Sequence, residues 1–533
     1  MRMHLLVAIA ALVPCVAGAQ AGSSRTTGPR VRTSAGTVEG IVDSSGVREF
    51  RGIPYAAPPV RELRWRPPQP AGRWTGTRKA DRFADQCMQA RIFGDMVFRN
   101  AGVSEDCLYL NVWMPPAAAA KPDGGAPVLV YFYGGGFVAG DGSEPRYDGE
   151  SMARRGIVVV TMSYRLGIFG FFSHPALTAE SAHHASGNYA LMDQTAALRW
   201  VRDNIAAFGG DPKQVTIAGE SAGSFSVSAQ MASPLAKGLF ARAIGESGAF
   251  FSSTLSTPAL AETEQNGTKF ANALGAPTLG ALRALSAMEL LAASGRQDLP
   301  RFGANVDGWF FPEVPADLFA QGKQAKVPLL AGWNSEESSA RGVMQETPDS
   351  ASVGALLARM FGDRAGEAAK VFPAATPEEA LQSMTDLASD RFIGYSTWKW
   401  LDVHGRTSGQ PVYRYLYARP RPATVATSGP GAAPAGRGAV HSAEIEYALG
   451  NLGTNKVFAW TADDYKVSAM MQEYFANFIR TGNPNGPGLP EWPAGNVGAD
   501  GQVQRMRIDV QSRAEPEPRA RYLFLDQAAG ARR

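Results

Sequence analysis

The sequence predicts an α/β fold in which helices flank a central, mostly parallel, twisted sheet. Continuous apolar runs at Leu108–Met114, Val128–Tyr133 and Ile157–Met162 are typical of strands covered on both faces. Strand patterns alternate with helical patterns along the chain, which favours parallel pairing. A third observation is Val215–Gln230, where a strand, a tight turn and a small-residue helix follow one another.

The other elements follow in chain order. A long amphipathic helix is expected over Asn188–Gly210, and a last one over Ser468–Arg480, because apolar residues recur there at helical spacing. The segment from Pro54 to Trp74 has the composition of an extended loop. The remaining expected strands are Gly36–Ile41, Val47–Ile53, Val215–Ala218, Ala241–Glu246, Val327–Gly332, Pro411–Tyr417 and a final one at Arg521–Leu525.

Two helical regions, at about 256–324 and 347–404, are too long to be simple crossovers. Capping boxes begin at Ser286 and Thr376 within them. We interpret both regions as insertions that form a cap over the carboxyl edge of the sheet and shape a pocket. Residues 20–533 are predicted to form a single elaborated domain, with a low-complexity loop at 419–438.

The N-terminus has the pattern of a signal peptide. Arg2 precedes the apolar run Leu5–Val16, and Ala17-Gly18-Ala19 is a cleavage site, so we expect residues 1–19 to be removed. No later run reaches the roughly 18 apolar residues of a membrane span. A net charge of +3 without a basic patch gives no indication of nucleic-acid binding. The sequence therefore predicts an exported protein, periplasmic or secreted.

Cysteine usage agrees with export. Of the three cysteines, Cys15 lies in the signal peptide, which leaves Cys87 and Cys107 as a pair in an oxidising compartment. We predict a disulfide between them; the alternative is two free buried thiols.

Gly219-Glu220-Ser221-Ala222-Gly223 matches the G-x-S-x-G turn that presents a nucleophilic serine. Ser221 is the candidate nucleophile. Side chains two residues either side of it would collide with a sharp turn, which suits Gly219 and Gly223. The alternative is a match by composition alone, because 58 of the 533 residues are glycine.

A serine nucleophile needs a base, and the base needs an orienting acid. In enzymes with this turn, the triad residues occur along the chain in the order Ser, acid, His. Only His404 and His441 follow the serine turn. His404 falls in an aromatic helical stretch, where a packed or solvated histidine is expected, so His441 is the candidate base. Activity would then fall below a pH of roughly 6–7. Glu336 and Glu337 follow a predicted strand as candidate acids, with solvated surface acids as the alternative.

Gly134, Gly135 and Gly136 follow the Val128–Tyr133 strand. Successive glycines allow backbone N–H groups to turn towards a developing negative charge, and the Ala222 N–H at a helix start would add a donor. A phosphate-binding loop is the alternative, but no G-K-[ST] follows. No cofactor and no metal are predicted.

Five motifs in the expected order and spacing resemble the type-B carboxylesterase/cholinesterase family of α/β-hydrolases, most closely a bacterial secreted carboxylesterase. They are YGGGF at 133–137, SEDCLYLNVW at 104–113, GESAG at 219–223, GWNSEE at 332–337 and GAVHSAEIEY at 438–447.

The resemblance implies roles that the residues alone leave open. Glu337, rather than Glu336, matches the family's acid, with Glu in place of the commoner Asp. Gly135, Gly136 and Ala222 match the oxyanion donors, and Cys87–Cys107 the family's first disulfide. Glu220 and Ser247 match positions near the triad. The disulfide loop lacks the tryptophan that receives quaternary ammonium groups in cholinesterases, which disfavours a choline ester.

We therefore expect a serine carboxylic-ester hydrolase that uses a Ser-His-Glu triad and an acyl-enzyme intermediate. Its partner would be a small to bulky hydrophobic carboxylic ester. A specialised esterase for a hydroxycinnamate, toxin or plasticiser ester is one alternative. A non-catalytic binding relative is the other, although every triad position is filled.

Overall fold

The computed structural model describes residues 28–116, 124–251, 255–427, 436–496 and 501–530. The predicted signal peptide and the middle of the predicted loop at 419–438 lie outside these ranges. No helix in the described ranges is both long enough and apolar enough to cross a membrane.

The strands of the described residues include both long central strands and short pairs at the periphery. They are β1 Arg30–Arg32, β2 Thr37–Glu39, β3 Ile41–Val42, β4 Arg48–Pro54, β5 Thr77–Lys79, β6 Gln86–Cys87, β7 Val103–Ser104, β8 Tyr109–Met114, β9 Ala126–Phe132, β10 Val158–Met162, β11 Gly210–Glu220, β12 Arg242–Glu246, β13 Leu329–Asn334, β14 Val412–Tyr417, β15 Gln504–Ile508 and β16 Arg513–Pro516.

An 11-stranded sheet forms the centre of the molecule, in the order β16-β15-β14-β13-β12-β11-β9-β10-β8-β4-β3. The strands from β15 to β10 in this order pair in parallel. The outer strands β16, β8, β4 and β3 pair antiparallel. The predicted mostly parallel sheet is therefore confirmed.

The central strands are buried on both faces, as their composition predicts. Every residue of β9 and of β10 is buried, and the Val-rich runs suit a covered pleated surface. The three apolar runs predicted at Leu108–Met114, Val128–Tyr133 and Ile157–Met162 correspond to β8, β9 and β10.

Helices cover both faces of the sheet and fill the two insertions. They are α1 Glu150–Arg154, α2 Gly167–Phe171, α3 Pro175–Glu180, α4 Tyr189–Asn204, α5 Ala222–Ala232, α6 Leu260–Ala273, α7 Leu279–Ala284, α8 Ala287–Ser294, α9 Pro315–Ala320, α10 Ser350–Phe361, α11 Ala365–Val371, α12 Pro377–Ser389, α13 Tyr395–Thr407, α14 Ile445–Leu449, α15 Ala462–Thr481 and α16 Ala520–Gly530.

The predicted long helix over Asn188–Gly210 is α4 followed by a 3₁₀ turn, Ile205–Phe208. Gly209 ends it with a φ of 77°, a left-handed conformation that glycine adopts without a Cβ penalty. The helix leads directly into β11 and so to the serine turn.

Both insertions begin at the carboxyl ends of parallel strands: α6–α9 follow β12, and α10–α13 follow β13. The capping boxes at Ser286 and Thr376 are present. The second insertion has its own small apolar core, in which Leu357 and Met384 pack with Phe524 of α16.

The final strand predicted at Arg521–Leu525 is wrong, because these residues belong to α16. A short apolar run does not distinguish a strand from a buried helix. Tertiary contacts decide it: Phe524 packs into the second insertion, and Asp526 pairs with Lys399 of α13. Strands β15 and β16 were not predicted, and α15 begins at Ala462, capped by Thr461, rather than at Ser468.

The predicted disulfide between Cys87 and Cys107 is present. It closes a loop whose ends are held on the main body. The Gln89 side chain exchanges two hydrogen bonds with the Gly140 backbone, each 2.9 Å, and the Arg99 Nε donates to the Ser143 carbonyl at 2.6 Å.

Replacing both cysteines by serine should lower the free energy of unfolding by about 3 kcal/mol, because the unfolded chain regains the entropy of an open loop of about 20 residues. Denaturant unfolding measures this loss. Wild type treated with a reductant should show the same loss, whereas the double variant should be insensitive to the reductant. Two free thiols in the denatured, unreduced mature protein would contradict the prediction.

Candidate active site

The turn between β11 and α5 places Ser221 at the carboxyl edge of the sheet. Its φ of 53° and ψ of −122° lie in a region that non-glycine residues rarely adopt. The Ser221 N–H donates to the Glu246 carbonyl at the end of β12, at 2.8 Å. The backbone strain is therefore held by neighbouring elements, which is a common feature of functional sites.

Close backbone approach explains the glycines on either side. A Cβ at Gly223 would lie 2.0 Å from the Phe132 carbonyl oxygen, and one at Gly219 would lie 2.6 Å from the Gly223 carbonyl group. The turn can pack against β9 only without these side chains. The steric argument from the sequence is confirmed at both positions.

The structure brings Ser221, His441 and Glu337 together in one chain of hydrogen bonds. His441 Nε2 lies 2.9 Å from Ser221 Oγ, and His441 Nδ1 lies 2.7 Å from Glu337 Oε2. An isolated bridge between Glu336 and Val440 aligns the histidine loop with the end of β13. Three separate elements thus supply the three side chains.

Glu337, and not Glu336, faces the histidine. Its carboxylate is buried, and Oε1 accepts from the Ser247 hydroxyl at 2.5 Å and from the Asn334 N–H at 2.6 Å. Glu336 is half-buried and contributes its backbone N–H to the Ala439 carbonyl. Ser247 therefore fastens the carboxylate that contacts the imidazole.

Further carboxylates lie beneath the imidazole. Glu220 Oε1 is 3.3 Å from His441 Nε2. Burial raises the pKa of Glu220 and of Glu444, and it raises the pKa of Glu246 to about 8. Burial lowers the pKa of His441, but the negative charges of Glu220 and Glu337 more than offset this effect, so the pKa of His441 lies above its ordinary value.

Sequence reasoning missed Glu444 and Ser442 in this cluster. The Asn334 side chain donates to Glu444 at 2.5 Å, and the Ser442 hydroxyl donates to Glu220 at 2.7 Å. Their proximity to His441 along the chain was the available signal, but only the fold turns both side chains towards buried carboxylates.

The glycine loop after β9 has the backbone freedom that the sequence indicates. Gly135 and Gly136 have φ values of 113° and 64°. A Cβ at Gly134 would lie 2.6 Å from Glu220 Oε2, so this glycine lets the loop approach the serine turn. Ala222 is the first residue of α5, where an N–H has no intrahelical acceptor. These N–H groups are candidates to bind an anion.

Apolar side chains lie beside His441 and Gly135. The Phe392 ring packs edge-on against the His441 imidazole, with the ring planes at 75° and the ring centroids 5.0 Å apart. Phe392 comes from the second insertion, and Met96 of the disulfide loop approaches Gly135. Val138, two residues after Gly136, and Val440, the residue before His441, are exposed. A hydrophobic group next to the serine would therefore be in contact with apolar surface.

Three of the other described histidines have structural partners, and His184 is exposed. His404 is buried, and its Nε2 lies 2.9 Å from the Val327 carbonyl, so of the packed and solvated roles that the sequence left open the structure shows the packed one. His174 accepts from the Ala176 N–H at the start of α3, and His183 stacks on Trp309. No group of three or more His, Cys, Asp or Glu side chains in the described ranges is arranged to hold a metal ion.

Comparison with known proteins gives concordant matches over nearly the whole chain. The model of the Carboxylesterase family matches residues 27–523. The chain is 37% identical to Fumonisin B1 esterase of Sphingopyxis macrogoltabida, over 88% of this chain and 86% of that protein. It is 34% identical to Liver carboxylesterase 1 of Oryctolagus cuniculus, over 92% and 91% respectively. A PNB esterase structure superimposes with a TM-score of 0.77 at 31% identity, covering 93% of this chain and 99% of that one.

Gly223→Ala should destabilise the protein by more than 2 kcal/mol, because its Cβ would collide with backbone rather than with a flexible side chain. Gly354→Ala is the matched control. Gly354 lies in α10 with nothing near its Cβ position, and alanine there should stabilise by about 0.5–1 kcal/mol. Thermal unfolding of both variants measures the difference. Equal melting temperatures would show that the turn tolerates a side chain.

Proposed function

Because this chain belongs to the carboxylesterase family and is a carboxylic ester hydrolase, we propose that it acts through a Ser221–His441–Glu337 triad and an acyl-enzyme intermediate. The observation that carries the proposal is the position of one imidazole, which bonds Ser221 Oγ through one nitrogen and Glu337 through the other.

His441 Nε2 accepts the Ser221 proton as Oγ attacks the ester carbonyl. Glu337 holds the Nδ1–H tautomer and stabilises the imidazolium. The proton then passes to the departing alkoxide oxygen, and the alcohol leaves. Water, deprotonated by His441, attacks the acyl-enzyme; the acid leaves as the imidazolium returns the proton to Ser221 Oγ.

The backbone N–H groups of Gly135, Gly136 and Ala222 stabilise the oxyanion in each tetrahedral intermediate. The positive φ values of the two glycines and the helix-start position of Ala222 support this role. Ser247 positions Glu337, and Glu220 adds negative charge beside the imidazolium.

Small to bulky hydrophobic carboxylic esters fit the apolar surroundings of the serine. Phe392, Met96 and Val138 supply that surface. Its relative Fumonisin B1 esterase favours the alternative of a specialised esterase for one bulky natural or xenobiotic ester. The complete triad argues against a non-catalytic relative.

Export is part of the proposal. A disulfide is consistent with an oxidising compartment, and the sequence predicts a signal peptide at residues 1–19. Residues 20–533 would form one domain, periplasmic or secreted, since the family match spans 27–523 and one large apolar core joins the sheet to its helices.

Ser221→Ala should abolish hydrolysis of p-nitrophenyl esters, because it removes the hydroxyl that lies 2.9 Å from the proposed base, His441 Nε2. Stopped-flow release of nitrophenol by the wild type should show a burst or a steady rate. Comparing esters of increasing acyl length identifies the length with the highest rate, which indicates the size of the acyl pocket. A folded Ser221→Ala variant that retains wild-type rates would contradict the triad.

The pH profile of kcat/KM should have an acid limb, the fall in rate on its acidic side, whose midpoint lies above the ordinary histidine pKa of about 6.5. The carboxylates raise the pKa of His441, and only the neutral imidazole is a base. This revises upward the range of 6–7 expected from the sequence. Glu220→Gln removes one negative charge, so the limb should move to lower pH. Glu336→Gln, the same change on a half-buried neighbour, is the control. Identical limbs in wild type and Glu220→Gln would contradict this electrostatic coupling.

A further inference from the structure

Ser442, the residue after His441, has an unusual backbone conformation. Its φ of 64° is in the left-handed region that glycine adopts most easily, and serine has no special tolerance for it. The side chain is half-buried, and it is not part of the triad or of the oxyanion donors. A strained residue at this place requires a physical reason.

Neighbouring elements hold this conformation firmly. The Arg421 guanidinium donates to the Ser442 carbonyl at 2.6 Å and also pairs with Glu446. The Ala443 N–H donates to the Val440 carbonyl at 3.1 Å, which closes a turn around Ser442. The same Val440 carbonyl accepts from the Asn334 side chain at 2.8 Å. The backbone here is therefore fixed from both sides.

The strained backbone aims the Ser442 hydroxyl at a buried carboxylate. Ser442 Oγ donates to Glu220 Oε1 at 2.7 Å, and the same oxygen lies 3.3 Å from His441 Nε2. Glu220 is only 2% exposed, so water gives it little help. One carboxylate oxygen thus lies between the hydroxyl and the nitrogen that exchanges a proton with Ser221.

We propose that Ser442 is a positioning residue for ester hydrolysis, whose hydroxyl keeps the Glu220 carboxylate ionised and turned towards His441 Nε2. The inference rests on the proposed triad and extends it by one residue. The step balances without a further reactant, because the Ser442 proton stays on its own oxygen while the Ser221 proton moves to His441 and then to the leaving alkoxide.

Glu220 needs a donor because the net effect of its surroundings is to raise its pKa, mainly through burial. Burial and the like charge of Glu337 raise its pKa, while His441, the Ser442 hydroxyl and Arg146 lower it. The other ionisable groups that face Glu220 across the cluster are Glu246, Glu444, Tyr131, Tyr147, Tyr164 and Tyr415.

An ionised Glu220 stabilises the imidazolium that forms when Ser221 loses its proton. Without the Ser442 hydroxyl, Glu220 would hold a proton over more of the pH range. His441 would then lose part of the charge that supports its protonated form. The acid limb should move to lower pH, and kcat on the plateau should fall.

Two variants separate the hydroxyl from the backbone. Ser442→Ala removes the hydroxyl and keeps the cost of a Cβ at positive φ, whereas Ser442→Gly removes both. Both should shift the acid limb of kcat/KM downward by about half a unit to one unit and lower kcat by about three- to tenfold. The glycine variant should unfold at a higher temperature than the alanine variant.

A double variant tests whether the effect passes through Glu220. In the Glu220→Gln background, Ser442→Ala should produce no further shift of the acid limb. A full additional shift would overturn the proposal, because Ser442 would then act by another route. The proposal would also be overturned if neither Ser442→Ala nor Ser442→Gly moved the acid limb. A shift that differed between the two variants in proportion to their unfolding temperatures would overturn it as well.

A direct titration distinguishes failure of this inference from failure of the triad. Histidine labelled with ¹³C at Cε1 gives at most six signals for the six histidines, and His441→Gln assigns the one of interest. Both Ser442 variants should lower the pKa of the His441 signal relative to wild type. If the Ser442 variants lower this pKa but Ser221→Ala still hydrolyses esters, then Ser442 is coupled to His441 and the proposed triad is refuted. If the pKa of the His441 signal is unchanged in both Ser442 variants while wild type is active and Ser221→Ala is not, then the role of Ser442 is refuted and the triad stands.

Discussion

The strained backbone of Ser221 is the constraint on which the rest of the site depends. A serine in that conformation projects from the edge of the sheet only if β11 stops and α5 starts without an intervening loop. The turn must then pack directly on β9, which leaves no space for side chains at Gly219 and Gly223. The hydrogen bond from the Ser221 N–H to the end of β12 fastens it on the other side. Strain at one residue is thus supported by three parallel strands.

The parallel sheet also explains why distant residues meet at that edge. Successive parallel strands end side by side. Glu246 at the end of β12, Glu337 after β13 and the His441 loop after β14 therefore converge beside Ser221. Each strand contributes one short polar segment. The two helical insertions begin at the same edge, because they follow β12 and β13.

Burying several carboxylates beneath one imidazole is costly, and the structure reduces the cost in two ways. Glu246 accepts from the Tyr131 hydroxyl at 3.0 Å, and burial raises its pKa, which favours a neutral acid at neutral pH. Glu337 and Glu220 instead receive donors from Ser247, Asn334 and Ser442. Both carboxylates that contact His441 therefore have hydrogen-bond donors that offset part of the cost of their burial.

The sequence by itself determined the features that depend on local patterns. Apolar runs specified β8, β9 and β10, and the glycines of 219–223 specified the serine turn, because strand burial and steric exclusion act over a few residues. The family motifs indicated Glu337 and His441 by position.

Only the tertiary structure decided which groups face one another across long stretches of chain. Glu336 and Glu337 are adjacent and chemically alike, and the fold alone turns one of them to the imidazole. The run Arg521–Leu525 becomes helical because Phe524 completes the core of an insertion more than a hundred residues earlier in the chain. Ser442 reaches Glu220 because Arg421 and Asn334 hold its loop. Such contacts depend on where distant segments pack, and no local pattern encodes that position.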